Sequence, residues 1–129
     1  DYLNQLGSDK IYPWPKERSP IKIFIADGQK VPGYKHSYGA ALNRALGAWS
    51  EVLAGQIQFE IIDNSNKADI NIKWSNDINQ ALMKAEGGDC RYTANGAGMD
   101  HAEVTILTLD PSNSDRLNDY KVSWVALHE

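Results

Sequence analysis

The chain has 129 residues, the usual size of one domain and enough to bury one core. Its net charge is −4, and no run of Lys or Arg provides the basic surface that a nucleic acid or an anionic membrane would favour. A single cysteine excludes an intrachain disulfide and a cysteine-rich metal cluster, and no apolar stretch approaches the length of a membrane span. We therefore predict a single domain over residues 1–129, with neither nucleic acid nor membrane as a partner.

The first part of the sequence predicts an irregular lead-in, a strand and a helix. Residues 1–20 are polar and interrupted by prolines, whereas IKIFI (residues 21–25) alternates isoleucines on one face, which is typical of a strand. Between Ser37 and Gly55 the apolar residues recur at spacings of four and three residues. This spacing predicts an amphipathic helix with Ser37 as its N-cap and Gly55 as its stop. The predicted buried stripe of this helix comprises Tyr38, Leu42, Ala45, Trp49 and Val52.

The rest of the chain predicts further strands and a second helix. The predicted strands are IQFEII (57–62), ADINIKW (68–74) and AEVTILTL (102–109), with a short extended piece near 91–93 and one helical turn near 81–85. Beyond a polar loop, apolar residues recur at helical spacing at Leu117, Tyr120, Trp124 and Leu127. This order of elements favours an α+β domain built on a mixed sheet.

The sequence WVALHE, which includes His128 and Glu129, carries the first two letters of an HExxH motif. On a helix, two histidines four residues apart can hold one zinc ion, and the glutamate after the first can take a proton from zinc-bound water. The pair alone is also explained as two polar residues on a helix surface.

The context of this pair resembles the N-terminal part of a matrixin-type metzincin, a zinc-dependent endopeptidase. The resembling segments cover nearly the whole chain: W-P-K followed by IKIFI, the helix AALNRALGAWSEVL, the strands IQFEII and ADINIKW, and AEVTILTL leading to VSWVALHE. The last segment is similar to the start of the family's V-A-x-HE-x-G-H zinc helix.

The resemblance implies a twisted five-stranded mixed sheet with two main helices, the metzincin N-terminal subdomain. It implies His128 as the first zinc ligand and Glu129 as the general base. It also implies a peptide or protein substrate lying antiparallel to the edge strand, here around residues 90–93, and an extracellular or periplasmic location.

The sequence departs from the family pattern because the second and third zinc ligands and the methionine turn are absent. We therefore expect the parent protein to be the zinc metalloendopeptidase. The chain as given is expected to be cut within its HExxH helix and inactive, to hold zinc only weakly, and to self-associate through that helix. The alternative is a non-catalytic module that keeps the metzincin fold and binds a protein or peptide.

Other residues with metal-binding or nucleophilic chemistry have simpler explanations. His36 and His101 lack a neighbouring His-x-Asp pair, so we predict surface or capping histidines and no structural zinc site. Cys90 is predicted to be a small, partly buried residue. The loops DNSN (63–66) and DPSNSD (110–115) offer oxygen ligands for calcium, but neither has a full ligand spacing, and turn and capping roles explain both.

Overall fold

The computed structural model describes residues 12–80 and 87–129, and these residues form an α+β domain. A five-stranded mixed sheet and two α-helices make up this part of the chain, so the predicted fold class is confirmed. The elements are β1 (Ile21–Ile25), α1 (Tyr38–Val52), β2 (Phe59–Ile62), β3 (Ile70–Ser75), β4 (Gly88–Asn95), β5 (Gly98–Leu107) and α2 (Asp119–His128). The helical turn predicted near residues 81–85 lies outside the described residues.

The strands are arranged in the order β2-β1-β3-β5-β4. The first four strands in this order pair in parallel, and β4 pairs antiparallel with β5. Strand β4 therefore lies at one edge of the sheet, and it contains the residues 90–93 that the resemblance assigns to the edge strand. It is longer than the short extended piece predicted from the sequence.

The core lies between one face of the sheet and both helices. Because alternate residues of a strand point to opposite faces, every second residue of the central strands reaches this face, and most of these residues are apolar. The core includes Ile21, Ile23, Ile72, Trp74, Val104, Ile106 and Leu107 on the strands, Tyr38, Leu42, Val122 and Val125 on the helices, and Leu117 in the segment before α2. Burial of each large apolar side chain contributes roughly 1.5–3 kcal/mol, so this cluster determines which face each element presents.

Helix α1 begins and ends close to the predicted residues. Tyr38 and Leu42 are buried as expected, but Trp49 is 41% exposed and Val52 is 75% exposed, so the predicted stripe is buried only over its first turns. Gly55 has φ +74° just beyond the helix, in agreement with its predicted role as a stop. Ser37 occupies the predicted N-cap position, but its side chain makes no capping bond, and its hydroxyl donates to Asp119 Oδ1 instead.

Helix α2 buries a different face from the one predicted. Asn118 caps it by accepting a hydrogen bond from the Lys121 backbone N–H at 2.8 Å. Val122 and Val125 are buried, whereas Tyr120 is 78% exposed and Trp124 is 59% exposed. The predicted stripe of Leu117, Tyr120, Trp124 and Leu127 is therefore correct only in part. Leu117 is buried but precedes the helix, Leu127 is half-buried, and Tyr120 and Trp124 face solvent.

Candidate functional site

The pair His128–Glu129 lies where α2 ends, and two hydrogen bonds fix that end. The indole N–H of Trp49 on α1 donates to the Leu127 carbonyl at 3.1 Å. The backbone N–H of Glu129 donates to the Val125 carbonyl at 3.0 Å, which continues the helical pattern to that residue. The end of α2 is thus attached to α1 at the position where a carbonyl would otherwise lack a helical partner.

Two consecutive glycines allow the end of α2 to lie against the start of β4. A Cβ on Gly87 would lie 2.5 Å from Val125 Cγ2, so any side chain there would collide with the helix. A Cβ on Gly88 would lie 2.8 Å from the Thr105 carbonyl oxygen and 3.1 Å from Glu129 Cγ. Because Gly87 and Gly88 have no side chains, Glu129 can lie next to the edge strand. The signal for this contact in the sequence is the pair Gly87-Gly88, at the start of β4.

His128 and Glu129 have different surroundings because consecutive residues point in different directions around a helix. The imidazole of His128 is exposed and stacks near Trp124, with 6.0 Å between ring centroids and 13° between ring planes. Glu129 is half-buried and faces the start of β4. The structure therefore brings the proposed base, rather than the proposed ligand, against the edge strand.

Cys90 lies on the helix-facing side of β4, near Glu129. Burial raises the pKa of its thiol to about 11, and the negative charges of Glu129 and Asp89 act in the same direction. The thiol therefore stays neutral near pH 7 and packs against the core, as predicted for a small, partly buried residue.

The described residues do not by themselves fit a zinc ion. Within residues 12–80 and 87–129 there is no group of three or more His, Cys, Asp or Glu side chains placed to hold a metal. A catalytic zinc needs three protein ligands, and here the chain offers one imidazole, on His128. No catalytic step through zinc follows from these residues alone.

His128 and Glu129 also border a cavity of about 380 Å³ between the helices and the sheet. Its walls are mostly apolar and include Leu46 and Trp49 of α1 and Phe59 of β2. A largely apolar cavity of this size with a few polar groups is typical of a binding site for a small apolar group.

The other two histidines lie apart from this site. His36 is exposed immediately before α1. His101 on β5 lies with its Nε2 2.8 Å from Glu103 Oε1. Both positions agree with the surface roles predicted for them.

The two loops considered for calcium use their side chains locally. Asp110 Oδ1 accepts hydrogen bonds from the backbone and the hydroxyl of Ser112, and Oδ2 pairs with Lys121 Nζ at 2.5 Å. These interactions lower the pKa of Asp110 to about 2, with the hydrogen bond from Lys121 as the largest cause. In the other loop, Asn64 Oδ1 accepts a backbone N–H two residues further on. Turn formation and pairing with Lys121 thus account for these side chains.

Comparison with protein-family models gives no match to this sequence, and comparison with curated proteins gives none either. Among the described helices, none combines the length and apolar character needed to cross a membrane.

Proposed function

We propose that this chain belongs to the catalytic domain of a zinc metalloendopeptidase, with His128 as one zinc ligand and Glu129 as the general base. The observation that supports it is the position of the His-Glu pair, on a helix that packs directly against the edge strand of a five-stranded mixed sheet. A carboxylate next to a strand edge is placed where a peptide bound to that edge could be reached.

The proposed substrate is an extended peptide or protein segment that adds to β4. An edge strand has backbone N–H and C=O groups that no neighbouring strand satisfies. The side chains of β4 from Arg91 to Asn95 are exposed, including Tyr92, which is 51% exposed. Main-chain hydrogen bonds would supply affinity, and the exposed side chains would select the sequence.

By itself the 129-residue chain is proposed to be inactive, because one imidazole does not make a tetrahedral zinc site. The remaining zinc ligands would have to come from residues other than those described. Under this proposal the described residues provide the scaffold, one ligand and the base.

The direct test compares this chain with the protein produced when the reading frame is continued past Glu129. Each protein is stripped of metal, re-equilibrated with zinc and analysed for bound metal and for peptide cleavage. We expect stoichiometric zinc and cleavage only in the longer protein. His128→Ala should abolish both, whereas Glu129→Gln should keep the zinc and lose the cleavage. His101→Ala is the matched control and should change neither.

Two results would contradict the proposal. One is stoichiometric zinc in the 129-residue chain that disappears in His128→Ala. The other is a longer protein whose zinc content is unaffected by His128→Ala.

The second candidate function is a non-catalytic module that binds a peptide or protein. The apolar cavity of about 380 Å³ between the helices and the sheet and the exposed edge strand β4 both favour it, because neither feature needs a metal. The 129-residue chain would then bind peptides, and a variant with both His128→Ala and Glu129→Gln would bind them equally well. A stop codon directly after Glu129 in the gene would also favour this candidate.

We propose in addition that the chain self-associates through α2. Tyr120 and Trp124 lie one turn apart on this helix and expose aromatic surface to solvent. Sedimentation should show a concentration-dependent dimer that Trp124→Ser weakens and that Tyr92→Ser, a control on β4, leaves unchanged. A strict monomer at high protein concentration would disprove self-association.

A further inference from the structure

The face of the sheet opposite the helices carries a polar pocket of about 160 Å³. Its lining residues come from three adjacent strands and are Lys73, Asp89, Arg91, Glu103 and Thr105. The strand register places Lys73 and Asp89 on either side of Thr105, and Arg91 directly opposite Glu103. Because Ile72 and Trp74 point into the core, Lys73 between them points to this outer face.

Two acceptor atoms, one of them on the pocket residue Asp89, are buried without a hydrogen-bond donor. Asp89 Oδ1 and Asn71 Oδ1 have no partner in the part of the chain that the structure describes. The side chain of Asp89 is only 7% exposed, although it lies on a sheet face that is usually solvated. Buried acceptors normally have donors, so an unpaired carboxylate oxygen facing a pocket indicates a missing hydrogen-bonding group.

The pocket also holds cationic groups. Arg91 Nε donates to Asp89 Oδ2 at 3.0 Å, and the rest of this side chain is largely exposed. Lys73 makes no hydrogen bond to any described residue through its ammonium group, although it lies in the same pocket. Glu103 Oε1 accepts from Asn71 Nδ2 at 3.0 Å, so that oxygen is already satisfied.

The pocket contains two positive and two negative side chains, so their charges cancel, and this limits the charge that a ligand can carry. A bare metal cation would be repelled by Lys73 and Arg91, and a simple anion by Asp89 and Glu103. A molecule with both charges can instead pair with each sign separately, with its donor on the unpaired Asp89 oxygen and its acceptor on the ammonium of Lys73.

We propose that this pocket binds a small zwitterion that carries a protonated amine and a carboxylate, as a free α-amino acid does. The amine donates to Asp89 Oδ1, and the carboxylate accepts from Lys73 Nζ. Since a water molecule occupies about 30 Å³ of liquid, the pocket has room for about five non-hydrogen atoms, which is the size of glycine. The site lies on the opposite face of the sheet from His128 and Glu129, so it does not depend on the proposed peptidase function.

The test is a titration of the isotope-labelled 129-residue chain with glycine, followed by the backbone amide NMR signals. We expect saturable shifts confined to the residues around the pocket. Methylamine and acetate each carry only one of the two charges, so each should bind at least about tenfold more weakly than glycine.

Variants separate the contribution of each charge. Asp89→Asn and Lys73→Met should each weaken glycine binding about tenfold or more, because each removes one charge-assisted hydrogen bond. Glu60→Gln removes an exposed carboxylate on the distant strand β2 and should leave binding unchanged. The amide spectrum reports whether each variant is folded, and Lys73→Met keeps the test valid if Asp89→Asn does not fold.

Three results would overturn the proposal. Binding of methylamine as tight as that of glycine would show a cation site, and equally tight binding of acetate would show an anion site. The absence of any saturable shift with glycine would show that water alone satisfies Asp89.

Discussion

Tyr38 connects α1 to the segment that leads into α2, and removing its hydroxyl group tests this connection. The side chain is fully buried, and its hydroxyl donates to the Leu117 carbonyl at 2.5 Å. Its ring stacks on Trp74 with 5.6 Å between centroids. Tyr38→Phe keeps the ring and its packing and removes only the hydrogen bond.

The expected cost follows from the burial of both partners. Leu117 is 3% exposed, so its carbonyl cannot readily exchange the lost donor for water. A buried acceptor left without its partner costs about 1–3 kcal/mol, and we expect the free energy of unfolding to fall by about 2 kcal/mol. For a chain of 129 residues, such a loss lowers the melting temperature by about 7 °C.

Urea denaturation monitored by tryptophan fluorescence measures this loss, and Tyr34→Phe is the matched control. Tyr34 packs edge-on against Tyr38 and Trp74, but its hydroxyl makes no hydrogen bond to a described residue. The control should remain within about 0.5 kcal/mol of the parent chain. Equal losses in the two variants, or no loss in Tyr38→Phe, would refute the inference that the bond to Leu117 stabilises the fold.

Two further predictions concern the contact between α2 and β4. Gly87→Ala should destabilise the chain by about 1–3 kcal/mol because the new Cβ meets Val125 Cγ2, and the loss should shrink in a Val125→Ala background. Urea denaturation of the parent chain, the two single variants and the double variant measures the coupling between the two substitutions. Strictly additive losses of unfolding free energy would contradict a collision between the new Cβ and Val125. Cys90 has a raised pKa in the folded state, so its contribution to stability is complete below pH 9 and is lost as the pH rises towards 11. Cys90→Ala should flatten the stability profile in this range, and an unchanged slope would count against burial of the thiol.

The sequence predicts best the elements whose burial follows a strict local period. Strand β1 is found at residues 21–25 as predicted, because alternate isoleucines reach the core. Both ends of helix α1 lie within two residues of the predicted ones, because its apolar residues also follow a strict local period. Strand β4 runs from Gly88 to Asn95 but was predicted only near residues 91–93. Most of its side chains are polar and exposed at the sheet edge, so no apolar alternation marks its length.

The face of α2 could not be predicted from spacing alone. Tyr120 and Trp124 are apolar and in phase with each other, as are Val122 and Val125, and only the second pair is buried. The buried face lies against Gly87, which is far away in the sequence and whose missing side chain leaves space for Val125. Contacts of this kind depend on tertiary packing, which periodicity does not encode.

The two candidate sites differ in how far they can be predicted from the sequence. His128 and Glu129 were found from a motif, whereas the pocket around Asp89 had no signal in the sequence. Its residues are far apart in the chain, and only the pairing of β3 and β4 with β5 brings them together.

Strand β4 explains why the two proposals can be tested separately. Neighbouring residues of a strand point to opposite faces, so Cys90 faces α2 and Glu129 while Asp89 faces the outer pocket. Asp89→Asn therefore changes the outer pocket without touching the end of α2, and Glu129→Gln does the reverse. The remaining link is electrostatic, since Glu129 and then Asp89 raise the pKa of Cys90 beyond the effect of burial.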